Sequence, residues 1–426
     1  MVTFSSVFLA VLSLTVFQPG MIAAQPPPGS TTPQGQPDFA TCLRDIKPEY
    51  TVEESWPQDR LRYENAWRYS TGAGVTVAVV DTGVDGNHPQ LRGQVRDVID
   101  LATGGQPAPL QDCAGHGTFV AGIVAAHPVE GSGFAGVAPA ATILPIRQTW
   151  REEDGDVRVL AAAIIRAVDE NADIINLSIT TPASSPELLD AVKYASSHGV
   201  LLVAAAGNVS ANESREVFYP AAYSRWTRDP GVADSVIAVT GTTKDDAIGE
   251  RARYGPEVDV AAPGDSVISL RAHDNSGKPG LFLSSGTSFA TPFVTGLAAL
   301  IKSYYPELTP AQIKARIVAT TDRPSANLPS EELGWGVINP VNALTAVLPE
   351  QSGTSSGPTA RRLDSIPRPA VPDLPTRDAA LAIFGGALFL AVVVITVAVV
   401  LPRGRRRGWR PSRRTLVEES EIGHGK

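Results

Sequence analysis

Cysteine is nearly absent: Cys42 and Cys113 are the only two in 426 residues. So little cysteine rules out a disulfide-dense scaffold and a thiolate cage for a metal. A cationic surplus is also missing. The formal net charge is −8, which speaks against a nucleic-acid partner. No internal repeat recurs, which sets aside solenoids and propellers. No Lys or Arg precedes the first apolar stretch, Val7 to Phe17, so the α-amino group alone supplies the positive charge that an export signal carries.

Both ends of the chain nonetheless read as targeting segments. Small residues at Ala23 and Ala24 precede the polar segment QPPPGSTTPQGQPD, which predicts a signal peptide over 1–24, with an uncleaved anchor as the alternative. Near the other end, AALAIFGGALFLAVVVITVAVVL, residues 379–401, carries no charge. At ~1.5 Å rise per residue it is long enough to cross a bilayer as a transmembrane helix. The arginines of PRGRRRGWRPSRR follow it directly, so residues 402–426 are expected in the cytoplasm and the body of the protein outside it. On an exported route Cys42 and Cys113 read as a disulfide that ties an N-terminal extension to the loop before His116, two free buried thiols being the alternative. A bond closing that loop is worth roughly 4 kcal/mol in the chain-entropy description. Residues 349–378, rich in Pro, Ser, Thr and Arg without apolar periodicity, predict an extended linker.

Over residues 70–348 short apolar runs alternate with amphipathic stretches. The runs from Gly74 to Asp81, Ala172 to Ile179, Gly199 to Asn208 and Asp234 to Gly241 predict strands. This alternation predicts an α/β fold, a parallel β-sheet with helices on both faces. Ser185 with Pro186 and Gly199 punctuate one predicted helix, and Thr309, Pro310 and Gln312 open another as a capping-box variant.

Four motifs stand at the ends of these elements. VAVVDTG puts Asp81 at the end of a strand, AGHGTFVAG puts His116 at the head of a helix, AAAGN puts Asn208 at another strand end, and SGTSFATP puts Ser288 before a long apolar helix. A serine hydroxyl needs an imidazole to take its proton, the imidazole needs a carboxylate, and the tetrahedral intermediate needs N–H donors. Asn208 and the Ser288 backbone N–H are candidates for the last part. Taken by itself, Ser288 also reads as a simple N-cap.

The order Asp81, His116, Ser288 differs from that of α/β-hydrolases, and Ala290 stands where their G-x-S-x-G turn needs glycine. With GVAPAATILPIR, VAAPGDSVISL and GWGVINPVNAL added, the chain resembles the subtilisin-like (subtilase, S8) serine proteases from about Gly74 to Leu344. The resemblance implies a subtilisin-like fold and serine endopeptidase activity. It implies Asp81 as orienting acid, His116 as general base and then acid, Ser288 as nucleophile and Asn208 as oxyanion donor. It also implies a substrate cleft lined by Ser178, Ile179 and Thr180 and by Ala205, Ala206 and Gly207. Thr180 stands where many members have glycine, which is expected to narrow the first specificity pocket. Gln90 stands where many have a calcium-binding Asp, so neither that calcium nor another cofactor is expected. Asp85 and His88 read as structural or solvated, and His127, His198 and His273 lie in no motif.

The whole architecture resembles the mycosins, membrane-anchored subtilases of type VII secretion systems. That likeness implies a protein or peptide substrate, a cell-membrane location with the catalytic body extracytoplasmic, and partners in the secretion membrane complex. The extension over 25–69 is shorter than the family's inhibitory prodomain and is expected to wrap the body as a retained arm. A mainly structural role in the complex and a generic degradative role at the cell surface are the alternatives.

Overall fold

In the computed structural model the described residues are 55–348, except 104–105, 109–110, 152–154, 183, 210–216, 273–279 and 325–326, together with 374–406 and 408. The signal peptide, Cys42, most of the extension and linker, His273 and the end of the tail lie outside them. The chain divides into two units, Met1–Leu348 and Pro349–Lys426.

The first unit is built on β1 (Thr76–Asp81), β2 (Val98–Asp100), β3 (Gln106–Ala108), β4 (Thr142–Arg147), β5 (Ile174–Leu177), β6 (Leu201–Ala205), β7 (Val236–Thr242) and β8 (Val260–Pro263). They form one sheet in the order β3-β2-β4-β1-β5-β6-β7-β8. Seven of these strands run parallel, and β3 pairs antiparallel with β2 at the edge. A separate hairpin joins β9 (Val267–Arg271) to β10 (Gly280–Ser284). The central strands start about two residues later than their apolar runs. The Thr76 N–H donates to the Asp173 side chain at 2.8 Å, and the pairing of β1 with β5 begins at Val77.

Parallel strands covered on both faces are apolar on both. Val77 and Val79 pack with Phe119 and Val120 of the His116–Ala125 helix and with Phe293 and Leu297 of the Thr287–Tyr304 helix. Ala78 and Val80 face the opposite side, against Leu160 and Ile164 of the Val157–Asp169 helix and Leu188 of the Pro186–Ser197 helix. The three-layer α/β expectation therefore holds. From β1 the chain goes to β2 and β4 on one side and then to β5 and β6 on the other. Asp81 thus ends the strand where the winding reverses, the place where open α/β sheets form their crevice.

The helix punctuation is as the sequence suggested. The Ser185 side chain accepts from the Leu188 N–H, Gly199 has φ of 74°, and Thr309 with Gln312 forms a complete capping box. In the second unit one helix, Leu374–Arg406, covers the uncharged run. The side chains of residues 374–386 and several later ones lie outside the described set. Among the described residues no helix is long and apolar enough to cross a membrane.

Part of the extension is described and packs on the body. Tyr63 is fully buried, donates its hydroxyl to the Ala135 carbonyl at 2.7 Å, and sets its ring 6.4 Å from that of Phe293. Trp67 Nε1 donates to the Val137 carbonyl at 2.9 Å, and Arg60 pairs with both Asp246 and Asp322. Tyr63→Phe leaves the Ala135 carbonyl without that donor, so urea denaturation should show a loss of about 1–2 kcal/mol at neutral pH. Burial raises the Tyr63 pKa well above its ordinary value. The unfolded chain therefore ionises first as pH climbs past ~10, wild type loses stability there, and the gap to the phenylalanine variant should narrow.

Candidate active site

Asp81 is the last residue of β1 and has no solvent exposure. A buried carboxylate needs donors in place of water. The Thr82 N–H donates to Oδ1 at 2.8 Å, and His116 Nδ1 lies 2.7 Å from the same oxygen. A carboxylate accepts only, so Nδ1 carries the proton and Nε2 is the basic atom of the neutral ring.

His116 opens a fully buried ten-residue helix. Its neighbour Gly117 lies so near the Thr82–Gly83 turn that a Cβ would come within 2.0 Å of the Gly83 carbonyl oxygen. The head of the helix is held by Asp112, a residue the motif reading passed over. Its Oδ2 accepts from the Thr118 N–H and hydroxyl, both at 2.8 Å, and its Oδ1 accepts from the Gly115 N–H at 3.0 Å and the Thr82 hydroxyl at 2.8 Å. Burial raises the Asp112 pKa above the usual carboxylate range, the Thr118 bonds oppose that rise, and the Asp81 charge adds to it. An acidic residue four positions before a helix-opening histidine was the available signal, because short acids satisfy helix-head N–H groups.

Arg147, the last residue of β4, is fully buried beside this turn. It pairs with Asp100 at 2.8 Å and donates to the Thr82 carbonyl at 3.0 Å and to the Gln111 carbonyl, with its guanidinium 4.1 Å from the centre of the Trp150 ring. Gly83, at φ of 117°, is required here, since a Cβ would meet that guanidinium at 2.9 Å.

Ser288 does not cap its helix. Gly286 holds the N-cap position, and the Ser288 hydroxyl donates to the Ser178 carbonyl at 2.9 Å. Pro292 explains the reciprocal bond. It has no N–H for the carbonyl four residues back, and the Ser178 hydroxyl donates to that Ser288 carbonyl at 2.7 Å. Asn176 Nδ2 supports the Ser178 oxygen at 2.9 Å, and the Thr295 hydroxyl supports Asn176 Oδ1 at 2.8 Å. The serine helix is thereby fastened to the end of β5.

Beyond β6, the Thr287 hydroxyl donates to the Gly207 carbonyl at 2.9 Å, and Asn208 Oδ1 accepts from the Thr287 N–H at 2.9 Å. That pairing assigns the amide orientation and leaves Nδ2 as the donating end. Thr287 is the second residue that sequence reasoning missed. A Cβ on Gly286 would stand 3.2 Å from Asn208 Nδ2, so the glycine leaves this donor uncovered on that side. The Ser288 N–H lies in the first helical turn, where backbone donors lack intrahelical acceptors. The Phe289 ring sits 5.2 Å from that of His116. Asp81 and His116 share one bond, Ser288 and Asn208 are tied to the head of one helix through Ser178 and Thr287, and the Phe289 ring beside Ser288 meets the His116 ring. The arrangement supplies a base, a hydroxyl and two N–H donors, the parts of acyl transfer.

Ser178, Ile179, Ala205 and Ala206 are buried, and Thr180 is half-buried. Gly207, at φ of 102°, has the Phe218 ring where a Cβ would stand. Asp85 and His88 are buried, so the solvated reading is withdrawn: Asp85 Oδ1 accepts from the Asn87 N–H and His88 Nδ1 from the Gln90 N–H. The Gln90 amide is engaged by the His127 and Phe134 carbonyls and the Ser132 hydroxyl, tying down that loop. His127 bonds Gln94, and His198 sits at a helix end. Among the described residues no three His, Cys, Asp or Glu gather as a metal site, and no cysteine is free.

Against known proteins, the subtilase family model matches residues 72–336. Mycosin-1 of Mycolicibacterium smegmatis is 32% identical, over 92% of this chain and 96% of its own. The crystal structure of MycP1 from Mycobacterium smegmatis aligns with a TM-score of 0.61 at 32% identity, covering 76% of this chain and 94% of that one. A chain in the periplasmic assembly from the ESX-5 inner membrane complex aligns with a TM-score of 0.60 at 28% identity, covering 74% of this chain and 89% of its own. The chain belongs to the subtilase family of serine proteases and, within it, is related to the mycosins.

Proposed function

We propose that this protein is a membrane-anchored, extracytoplasmic serine endopeptidase working with a type VII secretion system, with Asp81, His116 and Ser288 as its catalytic triad. The observation that carries the reading is the buried 2.7 Å bond from His116 to Asp81. It fixes the tautomer that leaves Nε2 basic. On substrate binding the Ser288 hydroxyl turns from the Ser178 carbonyl, gives its proton to His116 and attacks the peptide carbonyl. Asn208 Nδ2 and the Ser288 N–H receive the oxyanion. His116 then protonates the leaving amine, and water resolves the acyl-enzyme by the same route. Ser178–Thr180 and Ala205–Gly207 flank the bound peptide in this scheme.

The membrane assignment is supported by the Leu374–Arg406 helix, whose described side chains Phe389, Leu390 and Ile395 are each more than 60% exposed. Apolar groups left open in this way suit lipid rather than water, and Arg403, Arg405 and Arg406 at the end of the helix suit the cytoplasmic face. Cys42 is proposed to pair with Cys113, holding the extension to the body. A digest made without reduction should contain those two peptides joined, and their separate appearance with alkylated thiols would oppose the pairing. A second reading, a structural part in a secretion membrane complex, is favoured by likeness to a chain of the ESX-5 periplasmic assembly.

Asp81→Asn reverses the tautomer preference and is expected to lower kcat about 10⁴-fold with little change in KM. Steady-state kinetics on a peptide substrate checks this, and a loss under tenfold would remove Asp81 from the triad. To separate the two readings, cells carrying Ser288→Ala are compared with a deletion, with exported proteins followed by mass spectrometry. Cleavage as the essential role predicts that both strains fail alike and that an uncut protein accumulates. Normal export in Ser288→Ala beside failure in the deletion assigns the essential role to the scaffold.

A further inference from the structure

Asp112 has no part in the scheme above, yet it is a fully buried carboxylate bonded to the same turn that carries Asp81. Its four contacts all come from donors: two from Thr118, one from Gly115 and one from Thr82. Two of these are backbone N–H groups, which cannot turn round and accept. A proton on Asp112 would displace one of the four bonds, so the site is built for the ionised form.

The Thr82 hydroxyl lies between two carboxylates, 2.8 Å from Asp112 Oδ1 and 3.3 Å from Asp81 Oδ1. It has one proton to give. The shorter contact takes it, while the Thr82 oxygen accepts the Gly117 N–H at 3.0 Å. Asp81 Oδ1 therefore keeps its negative charge for the His116 N–H, its 2.7 Å partner. A second buried anion close by also favours a proton on the imidazole, because low-dielectric surroundings screen charge weakly.

We propose that Asp112 is a positioning residue: as a buried anion it holds the head of the histidine helix, draws the Thr82 hydroxyl away from Asp81, and so sustains the basicity of His116. The proposal rests on the triad reading given above. Other charged or titratable groups surround this helix. They are Asp85 and His88 after β1, Asp100 on β2, Arg147 on β4 and Arg271 on β9, while the serine helix offers the uncharged Phe289 ring. All of them are common to wild type and variants, so a difference between the two isolates Asp112.

The test labels the full-length protein with a fluorophosphonate. Ser288 Oγ displaces fluoride at phosphorus, and the hydroxyl proton passes to His116. The labelling rate climbs as His116 loses its proton, so the midpoint of the rate against pH reads its basicity. Asp112→Asn removes the charge and should move the midpoint down by roughly one pH unit, with a plateau rate at least ~10-fold lower. Asp112→Glu keeps the charge and should keep the midpoint, even if thermal denaturation shows both variants equally destabilised. An unmoved midpoint in Asp112→Asn, or an equal shift in Asp112→Glu, overturns the proposal. If Asp112→Asn does not fold, Asp112→Ser takes its place: it removes the charge and leaves a small hydroxyl that can accept from the same donors, so the midpoint should again fall, and a midpoint that stays or rises overturns the proposal. Absence of labelling in wild type, or undiminished labelling of Ser288→Ala, would instead remove the underlying assignment of the nucleophile.

Discussion

A carboxylate with no access to water governs the construction of this active site. Asp81 is fully buried, and leaving a buried polar group without its hydrogen-bond partner costs about 1–3 kcal/mol, and more when the group is charged. Nearly every neighbouring choice follows from keeping that charge satisfied. Thr82 donates its N–H, His116 its ring N–H, and the turn that brings them together is tight enough to exclude side chains at Gly83 and Gly117. Arg147 balances the excess of acid here by pairing with Asp100 and grips the turn through the Thr82 carbonyl. Polar groups buried together in this way restrict the local backbone more than apolar packing does, because each lost bond leaves an unsatisfied partner.

The nucleophile is held by a different device, one that exploits a defect. Pro292 removes an intrahelical hydrogen bond from the first turn of the serine helix, and Ser178 uses the carbonyl so released. The helix gains a sideways anchor, extended through Asn176 to Thr295 about two turns further on. Thr287 adds a second anchor toward Asn208. The helix head is thus pinned to β5 on one side and to the β6 loop on the other, with the Ser288 N–H at its first turn between the two anchors.

Much of this was legible in the sequence. Residues that end apolar runs, Asp81 and Asn208, or that open helices beside glycine, His116 and Ser288, announce themselves because local spacing determines where strands end and helices start. The parallel sheet was legible for the same reason. Thr287 and the pairing of Ser178 with Ser288 were not, because each works through a contact across the fold, while Asp112 was signalled by its place four residues before His116 and only its bond to Thr82 was hidden. Ser178 and Ser288 are 110 residues apart. Pro292 was visible four residues after Ser288, but the donor that fills its vacancy is known only once β5 lies beside the helix. Of the two readings of Asp85 and His88 the structural one holds and the solvated one does not: a polar loop after a strand is ordinarily wet, and here it is enclosed.

The described part of the extension bears on how the histidine helix is held. At its C-terminal end, Gly136 donates to the Ala126 carbonyl, Val137 to that of Ile123 and Ala138 to that of Val124, so the 136–138 segment satisfies carbonyls there. Tyr63 and Trp67 bond the carbonyls of Ala135 and Val137 in that segment, and Tyr63 also packs on Phe293 of the serine helix. A prodomain that inhibits must leave without disturbing the site. This extension instead reaches the support of one catalytic helix and the flank of the other, while Asp112 holds the opposite end of the histidine helix. Losing residues 55–69 would leave the Ala135 and Val137 carbonyls without these donors and uncover the Phe293 flank of the serine helix.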